Sequence, residues 1–282
     1  MILIADSGST KTSWCLIDKE DILAEFSTEG YNPCYITKDY LTDSLKEKLP
    51  AGYNWSKVTE IAFYGAGCYE DKFPIIKGAI KPLFPETKVE VAMDLTGSAR
   101  SLLGNNAGFA AILGTGANSC LYDGRKITRN IDSLGFILGD EGSGGYMGKR
   151  IISDYIRGYM PEELRNSFWN TYQLTGDDLI DRIYTGDLPN RYCADFTHFI
   201  TGVNKGHEYL DSVVRDSFRD FFESIVCGYP NYANYTFNCV GTIGWIFRKE
   251  LSEVASGFGM KTGTIICNPM EGLIRYHRNN CK

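Results

Sequence analysis

The sequence predicts an α/β protein built from two copies of one structural unit. In the first copy, short apolar runs of strand character and longer runs of helical spacing follow one another in the order βββ, α, β, α, β, α. The same order, lengthened by extra helices, begins again near residue 108, and in each copy a turn of small residues follows the first strand. The halves share this pattern and little sequence identity, so we interpret the chain as a duplication of structure. With 282 residues, 43% of them hydrophobic, the chain can bury a large core in one or two domains.

The first copy opens with three strand-like runs joined by short turns, which predicts an antiparallel meander. The next apolar run has helical spacing and stops at Pro50, because proline does not continue a helix. The predicted elements are strands 2–5, 13–18 and 21–27, helix 40–49, strand 58–64, helix 73–83, strand 89–93 and a helix that includes 99–103. We expect this copy to form an N-terminal lobe, residues 1–107.

The second copy repeats the meander, and Asp123-Gly124 between its second and third strands is a hairpin signal. The predicted elements are strands 108–113, 119–122 and 126–129, helices 151–159, 162–172, 178–184, 194–203 and 209–226, strand 235–240, helix 245–255, strand 263–267 and helix 270–277. The aromatic side chains of the middle helices are typical of a helical core. We expect a C-terminal lobe, residues 108–269, with a helical insertion at about 147–230, and a final helix within 270–282 that packs back on the N-terminal lobe.

Composition excludes several classes of partner. The formal net charge is −6 and no basic block is present, which disfavours nucleic acids and anionic membranes as partners. No run of about 18 apolar residues predicts a transmembrane helix, and no secretory signal is visible, so we expect a cytoplasmic protein. The nine cysteines are scattered without a C-x-x-C pair, which favours reduced thiols over disulfides or a zinc site.

The turn between the first two strands, Asp6–Thr12, carries the first candidate site. Gly8 permits a positive φ and lets a ligand approach the backbone closely. The backbone N–H groups could form a nest for phosphate oxygens, together with the hydroxyls of Ser7, Ser9, Thr10 and Thr12. Asp6, at the strand end, is placed to hold Mg²⁺ directly or through water. Taken alone, the same residues are also typical of an ordinary hairpin turn.

Four further clusters of small residues lie beside predicted strand ends, at 65–67, 114–118, 139–145 and 241–244. Ligands of open α/β sheets bind beyond strand ends, so these clusters indicate a ligand site. We expect added bulk at Gly116 or Gly241 to block close approach of the ligand to the backbone, and we expect Gly241→Val to leave the fold largely intact. The motif is not a P-loop, because Ser143 stands where Gly148-Lys149 would require a glycine, and no G-x-G-x-x-G turn follows a predicted strand.

The ordered set of motifs resembles the actin-like ATPase clan of sugar kinases, heat-shock ATPases and actin. Asp6–Thr10 resembles the first phosphate loop of that clan, 114–118 the second, and 239–244 the adenosine loop. Gly139-Asp140-Glu141-Gly142-Ser143 is similar to the N-acetylglucosamine kinase branch of the BadF/BadG/BcrA/BcrD ATPase family. This resemblance implies a duplicated ribonuclease-H-like fold with two lobes and a central cleft.

The resemblance also implies a role for particular residues. Asp94 matches the catalytic base, although its position also suits a helix N-cap. Asn32 and Asp140 match sugar contacts, and their local alternatives are a turn and a helix cap. The implied phosphate and nucleotide contacts are Ser7, Gly8, Ser9, Thr10, Lys11, Gly114, Thr115, Gly116, Gly241, Thr242 and Gly244; the implied sugar contacts are Asn32, Asp94, Asn118 and Asp140; and Asp6 is the Mg²⁺ ligand.

The function that the resemblance implies is ATP-dependent phosphorylation of an amino sugar, with N-acetylglucosamine as the first candidate. The implied cofactors are ATP and Mg²⁺, and the expected assembly is a homodimer. Many family members carry Gly-Trp-Gly near the N-acetyl pocket, where this chain has Ser133-Leu134-Gly135, and this departure leaves the identity of the sugar open. A BadF-type ATPase activator and a non-catalytic sugar sensor are the alternatives. An activator would need cysteine ligands for an iron–sulfur cluster, and no cysteines gather near the Gly-Asp-Glu-Gly stretch.

Overall fold

The first sheet carries the predicted meander and extends it with two parallel strands. The computed structural model describes residues 1–8, 10–19, 21–202 and 205–280. The five strands are β1 (Ile2–Ser7), β2 (Lys11–Asp18), β3 (Asp21–Glu29), β4 (Glu60–Gly65) and β5 (Lys88–Met93). They lie in the order β3-β2-β1-β4-β5, with β1 antiparallel to β2 and parallel to β4. The antiparallel meander predicted for the first three strands is therefore confirmed.

The second sheet repeats the topology of the first. Its strands are β6 (Ala107–Leu113), β7 (Ala117–Asp123), β8 (Ile127–Asn130), β9 (Thr236–Val240) and β10 (Lys261–Ile266). They lie in the order β10-β9-β6-β7-β8. If the strands of each sheet are numbered from its own first strand and the second sheet is read from its β8 edge, both orders are 3-2-1-4-5. The identical order confirms the α/β class and the duplication predicted from the pattern of elements.

The described part of the chain also contains thirteen α-helices. Some of them differ in their bounds from the sequence prediction. They are α1 (Lys38–Lys48), α2 (Phe73–Ile80), α3 (Asp94–Leu103), α4 (Gly135–Leu138), α5 (Gly144–Arg157), α6 (Glu162–Tyr172), α7 (Gly176–Thr185), α8 (Pro189–Asp195), α9 (Thr197–Thr201), α10 (Glu208–Ser224), α11 (Thr242–Ile246), α12 (Arg248–Gly257) and α13 (Met270–Asn280). The helix predicted over 194–203 is divided between α8 and α9, and its predicted end, Val203, lies outside the described residues.

Helix α5 begins seven residues before the start predicted at Ile151. Its first turns contain glycines, which the sequence pattern does not favour in a helix but which close packing requires. A Cβ on Gly148 would lie 1.8 Å from the carbonyl oxygen of Cys193 in α8, so only glycine allows the two helices to approach this closely. Glycine lowers helix propensity by about 1 kcal/mol relative to alanine, which is why the sequence pattern misplaced the start of the helix. Tertiary contact overrides that local preference.

The chain divides into two compact units. The first comprises Met1–Ala107, Tyr122–Thr128 and Asn268–Lys282, and the second comprises Gly108–Leu121 and Arg129–Cys267. In the first unit, Leu3 and Ala5 on one face of β1 contribute to the apolar cluster that also includes residues of α1 and α2. Ile4 on the other face packs in the cluster that contains Leu273 of α13. Burial on both faces explains why β1 reads as a continuous apolar run.

The second unit is built around an aromatic core. Phe168, Phe218, Phe221 and Phe222 are fully buried among residues of the second sheet and the helices of the insertion. Phe168 stacks on Phe196 with ring centroids 5.5 Å apart. The prediction that the aromatic side chains of the middle helices form a core is confirmed for these residues, whereas Trp169 of α6, which the prediction also included, is 47% exposed. Among the helices within the described ranges, none has the length and apolar character that crossing a membrane requires.

A buried polar chain ties α13 to the first sheet. The Tyr64 hydroxyl and His277 Nε2 share a hydrogen bond of 2.9 Å, and Arg100 donates to the same hydroxyl at 2.8 Å. Arg100 also donates to Glu90 Oε1 at 2.7 Å. Burial, and then the positive charge of Arg100, lower the pKa of His277 to about 4. The folded protein therefore holds this imidazole neutral at physiological pH.

We expect His277 to contribute a loss of stability as the pH falls from 6.5 toward 4. An unfolded chain protonates this histidine near pH 6.5, whereas the folded chain does so only near 4, so the folded state binds fewer protons in that window. The full contribution is on the order of 3 kcal/mol. Denaturant unfolding of wild type and His277→Gln at about pH 7.5, 6 and 4.5 measures it, and the variant should lose less stability. Equal losses would contradict the assignment.

Candidate functional site

The candidate site residues of the first unit lie where three parallel strands of its sheet end. Strands β1, β4 and β5 are parallel, and their pairing places Ser7, Gly65 and Met93 at the same level. Gly8 follows β1, Ala66-Gly67 follows β4 and Asp94 follows β5. The carboxyl ends of these strands therefore meet at a common edge, which is where open α/β sheets bind ligands.

Two carboxylates lie at this edge, and the charge of Asp94 acts on Asp6. Burial, and then the charge of Asp94, raise the pKa of Asp6 to about 7. Burial also raises the pKa of Asp94, while a hydrogen bond from its neighbour's backbone N–H opposes the rise. A raised pKa in both groups means that nearby protein charges do not neutralise them. Hard oxygen ligands of this kind suit Mg²⁺, so the residues present fit the ion that the sequence predicts.

Asp94 also has a local role at the start of α3. The helix begins at Asp94, and its N-cap residue is Met93, whose side chain makes no capping bond. Asp94 Oδ1 instead accepts a hydrogen bond of 2.8 Å from the backbone N–H of Leu95. The N-cap interpretation is therefore replaced by one in which Asp94 is the first helical residue and satisfies one N–H of the first turn.

The first glycine turn is held from behind by a buried network. Gly8 N–H donates to the carbonyl of Lys11 at 3.0 Å, which closes the turn. The Ser7 hydroxyl is buried, shares a hydrogen bond of 2.8 Å with Thr12 and accepts one of 3.0 Å from the backbone N–H of Tyr31. These contacts engage the Ser7 hydroxyl inside the protein. Thr10 and Lys11 are exposed, and Ser9 lies outside the described residues.

Asn32 lies beside the loop that follows β4. A Cβ on Gly67, whose φ is +71°, would lie 2.3 Å from Asn32 Oδ1, so glycine at this position makes room for the amide. The same Oδ1 accepts from Cys34 N–H at 2.9 Å, and Tyr35 N–H donates to the carbonyl of Asn32. The turn predicted at Asn32 is therefore present, and it brings the amide to the loop after β4.

In the second unit, the loop after β6 is docked on the start of α5. Gly114 N–H donates to the carbonyl of Gly116 at 2.9 Å. The carbonyls of Gly114 and Thr115 accept from Gly144 and Gly145 at 2.8 and 3.0 Å. The N-cap of α5 is Ser143, which accepts from the backbone N–H of Tyr146. This second glycine turn is therefore fixed to the N-terminus of α5, whose first N–H groups are satisfied by the carbonyls of the turn and by the Ser143 cap.

Asp140 joins the second turn to α5. It has a left-handed conformation with φ of +58°, and its Oδ1 accepts from Ala117 N–H at 3.1 Å. A Cβ on Gly116 would lie 3.0 Å from its Oδ2. Because Ser143 caps α5, the helix-cap alternative for Asp140 is excluded. Burial raises the pKa of Asp140, and its hydrogen bond from Ala117 opposes this.

Asn118, the remaining predicted sugar contact, lies within hydrogen-bonding distance of its neighbours. Its Oδ1 accepts from Ser119 N–H and from the side-chain amide of Asn130, both at 2.9 Å. The Asn130 amide also donates to the Ser119 carbonyl at 2.7 Å. Asn118 and Asp140 are thus both anchored around β7, since Asp140 binds the N–H of Ala117 at the first residue of that strand.

Gly241, in the loop predicted to contact adenosine, has a structural requirement that the sequence did not reveal. Gly241 has a φ of +130°, and a Cβ there would lie 2.3 Å from the carbonyl oxygen of Leu113. The expectation that bulk at Gly241 leaves the fold intact is therefore wrong, because any side chain would collide with the neighbouring strand backbone. Helix α11 begins at the next residue, Thr242, and a Cβ on Gly244 would lie 2.7 Å from Cys239 Sγ.

Lys149 is a residue of this region that the sequence motifs did not identify as part of the site. Its Nζ donates to the carbonyl oxygen of Phe136, in the segment that leads to Asp140. Burial lowers the pKa of Lys149, and the charge of Asp140 opposes this most strongly. No local pattern marks the residue, because its partner lies thirteen positions earlier in an irregular segment.

Comparison with known proteins identifies the fold and the family. No family model matches the chain, and a search of curated proteins finds no match. Among solved structures, a putative N-acetylglucosamine kinase from Porphyromonas gingivalis has a TM-score of 0.95, with 41% identity and 99% coverage of both chains. One of the same description from Chromobacterium violaceum has a TM-score of 0.76, 18% identity and 98% coverage of both chains. A ROK family glucokinase from Streptomyces griseus, in complex with glucose and AMPPNP, has a TM-score of 0.53, 12% identity and 97% coverage of both.

The two more distant structures show the fold alone, which is the duplicated ribonuclease-H-like fold of the actin-like ATPases that the sequence predicts. The Porphyromonas gingivalis protein shows more, because 41% identity over nearly the whole of both chains is an ordinary distance between members of one family. The chain therefore belongs to the family of that protein.

Proposed function

We propose that the protein is an ATP-dependent sugar kinase that phosphorylates a hydroxyl of an amino sugar, with N-acetylglucosamine as the first candidate. The name of the Porphyromonas gingivalis relative supports an amino sugar as the phosphoryl acceptor. The AMPPNP bound to the ROK glucokinase, which shares the fold, supports ATP as the phosphoryl donor. The observation that carries the proposal is the pair of carboxylates, Asp6 and Asp94, at the carboxyl edge of the first sheet with raised pKa values.

In the proposed mechanism, the sugar hydroxyl oxygen attacks the γ-phosphorus while its proton passes to the Asp94 carboxylate. The bond from the γ-phosphorus to the bridging oxygen of ADP breaks, and ADP leaves. Asp94 suits this role because burial raises its pKa toward the working pH, where a base accepts a proton most effectively. Mg²⁺, when bound, supplies charge neutralisation for the phosphates, and Asp6 would hold it.

The remaining residues of the site would orient the two substrates. We propose that the backbone N–H groups of the first and second glycine turns, 6–12 and 114–118, bind ATP phosphates, with Thr10 and Thr115 supplying hydroxyls. We propose that Asn32, Asn118 and Asp140 bind sugar hydroxyls, and that 241–244 contacts the adenosine. The two compact units would correspond to the two lobes of the kinase fold.

A coupled ADP-release assay over a sugar panel tests the function. The panel contains N-acetylglucosamine, glucosamine, N-acetylmannosamine, N-acetylmuramic acid and glucose, each with and without Mg²⁺. We expect the highest kcat/KM with an N-acetylhexosamine and no turnover without Mg²⁺. Sugar binding by calorimetry without ADP release would instead favour a non-catalytic sensor, and neither binding nor turnover would contradict the proposal.

Alanine substitution of two glycines separates ligand approach from folding. No atom lies within 4 Å of a Cβ built on Gly114, whereas one on Gly241 collides with the backbone. We expect Gly114→Ala to keep the wild-type melting temperature and to weaken ATP binding about tenfold or more, by blocking close approach of the phosphates. Gly241→Ala should lower the melting temperature itself. Calorimetric titration with ATP and thermal melts measure both, and wild-type affinity in Gly114→Ala would contradict the assignment of the second phosphate turn.

A further inference from the structure

The segment between β8 and α5 has an irregular backbone that needs outside support. Leu134 has a φ of +58°, Gly135 one of +67° and Asp140 one of +58°. The left-handed conformation costs a non-glycine residue about 1–2 kcal/mol. The only helix of the segment, α4, is four residues long, and its Ile137 and Leu138 are 86% and 75% exposed. Contacts from the rest of the second unit must therefore hold the segment in place.

Lys149 of α5 supplies such a contact at the middle of the segment. Its ammonium donates to the carbonyl oxygen of Phe136 and lies 4.7 Å from the centroid of the Phe136 ring. The same ammonium lies 5.5 Å from the ring of Tyr146, three residues earlier on α5. Phe136 also approaches α5 where a Cβ on Gly145 would lie 3.3 Å from its ring. A hydrogen bond, a cation–π contact and close packing thus tie one residue of the segment to the helix.

The fixed middle of the segment determines where Asp140 lies. Gly139 N–H donates to the Gly135 carbonyl at 2.8 Å, and Asp140 N–H donates to the Ser133 carbonyl at 2.9 Å. These bonds close a loop around Phe136, so displacement of Phe136 moves the backbone of Asp140. The Lys149 charge also lowers the pKa of the Asp140 carboxyl, against the burial that raises it.

We propose that Lys149 is a positioning residue for Asp140, and that it sets the affinity for sugar by tying the Ser133–Gly139 segment to α5. The inference rests on the proposed function for its sugar-binding consequence, because Asp140 is assigned there to a sugar hydroxyl. Lys149 does not touch the reacting atoms in this account. It acts through the backbone of the segment and through the charge of the Asp140 carboxylate.

Lys149→Met tests this directly, because methionine has a similar length and neither the charge nor the donor. We expect the KM for the sugar to rise about tenfold or more, since small misplacements of a substrate contact are costly. The KM for ATP should remain near wild type, and kcat should change less than the sugar KM. Lys149→Arg should restore most of the sugar affinity, and Lys261→Met, at an exposed position of β10 in the same unit, should behave as wild type.

Amide hydrogen exchange gives a readout that does not require activity. In Lys149→Met, the amides of Gly139 and Asp140 should exchange faster, while those of β6 and β9 keep their protection. If wild type phosphorylates no sugar of the panel, the proposed function fails, and the exchange data alone decide whether Lys149 holds the segment. If wild type is active and Lys149→Met has an unchanged sugar KM and unchanged exchange, the positioning role is overturned while the function stands. A uniform loss of amide protection across the second unit would also overturn the positioning role. An equal loss of sugar affinity in Lys149→Arg and Lys149→Met would overturn it as well.

Discussion

Replacing Asp94 by asparagine is expected to lower kcat by about 10²-fold or more and to leave the affinity for ATP near its wild-type value. The substitution removes the proton acceptor for the sugar hydroxyl. The asparagine Oδ1 can still accept the hydrogen bond that Asp94 Oδ1 receives from Leu95 N–H, so the start of α3 keeps its contact. The ADP-release assay gives kcat, and calorimetry gives the affinity for ATP.

Two further variants separate catalysis from helix stability. Asp94→Ala loses both the base and the hydrogen bond, so it should be inactive and less stable. Asp39→Asn changes an exposed carboxylate in the first turn of another helix, α1, and should keep wild-type activity. If Asp94→Asn turns over sugar at the wild-type rate and only Asp94→Ala is unstable, Asp94 serves the helix, and Asp140 becomes the next candidate for the base.

Asp6→Asn is expected to have opposite effects on activity and on stability. The variant should lose most activity at limiting Mg²⁺, because Asp6 is the proposed ligand of the ion. The metal-free variant should be more stable than metal-free wild type above pH 7, by on the order of 2 kcal/mol, because it removes a half-buried charge beside Asp94. The folded pKa is about 7 and the ordinary pKa of an aspartic acid side chain is 3.8, so between these values the folded state retains a proton that the unfolded state has lost. Asp6 should therefore contribute a loss of stability as the pH rises from about 4 to 7, opposite in sign to the contribution of His277, and Asp6→Asn should lack the Asp6 contribution.

Denaturant unfolding at several pH values, with and without Mg²⁺, checks the second prediction. Mg²⁺ should stabilise wild type above pH 7 and should stabilise Asp6→Asn much less. Asp71→Asn, at an exposed position of the same unit, is the matched control and should follow wild type. A pH profile of Asp6→Asn that coincides with that of wild type would show that Asp6 does not carry the raised pKa. An unchanged response to Mg²⁺ would show that the ion binds elsewhere.

The positions of the helices and strands follow from sequence pattern where the pattern is strong. Helix α6 was predicted with both of its ends, and the meander β1–β3 with its antiparallel pairing. Asp123-Gly124 predicted a hairpin, and Gly124 has a φ of +94° there. These features depend on local signals, namely the hydrophobic period and the residue types of turns, which are visible in a short stretch of sequence.

The start of α5 and the division of 194–203 did not follow from sequence, because they depend on packing between helices distant along the chain. The glycines of α5 lower its intrinsic propensity and are compensated by close contacts with α8 and with other parts of the second unit. The same physical cause explains Gly241, which the pattern assigned to ligand approach and which the structure shows to be required by the carbonyl of Leu113. A glycine required for ligand approach and a glycine required for close packing look the same in the sequence. Only the neighbouring atoms in the structure distinguish the two roles.

For the candidate site, the sequence by itself determined that the carboxylates Asp6 and Asp94 stand at strand ends, among small residues. The strand end expected before 139–145 was wrong, because Asp140 follows helix α4. The tertiary structure alone decided what each of them does locally. It engaged the Ser7 hydroxyl in a buried network, gave the cap of α5 to Ser143 rather than Asp140, and placed Lys149 against Phe136. The physical reason is that a strand end is a local property of the chain. Hydrogen-bond partners and pKa values, by contrast, depend on atoms that folding brings together from distant positions.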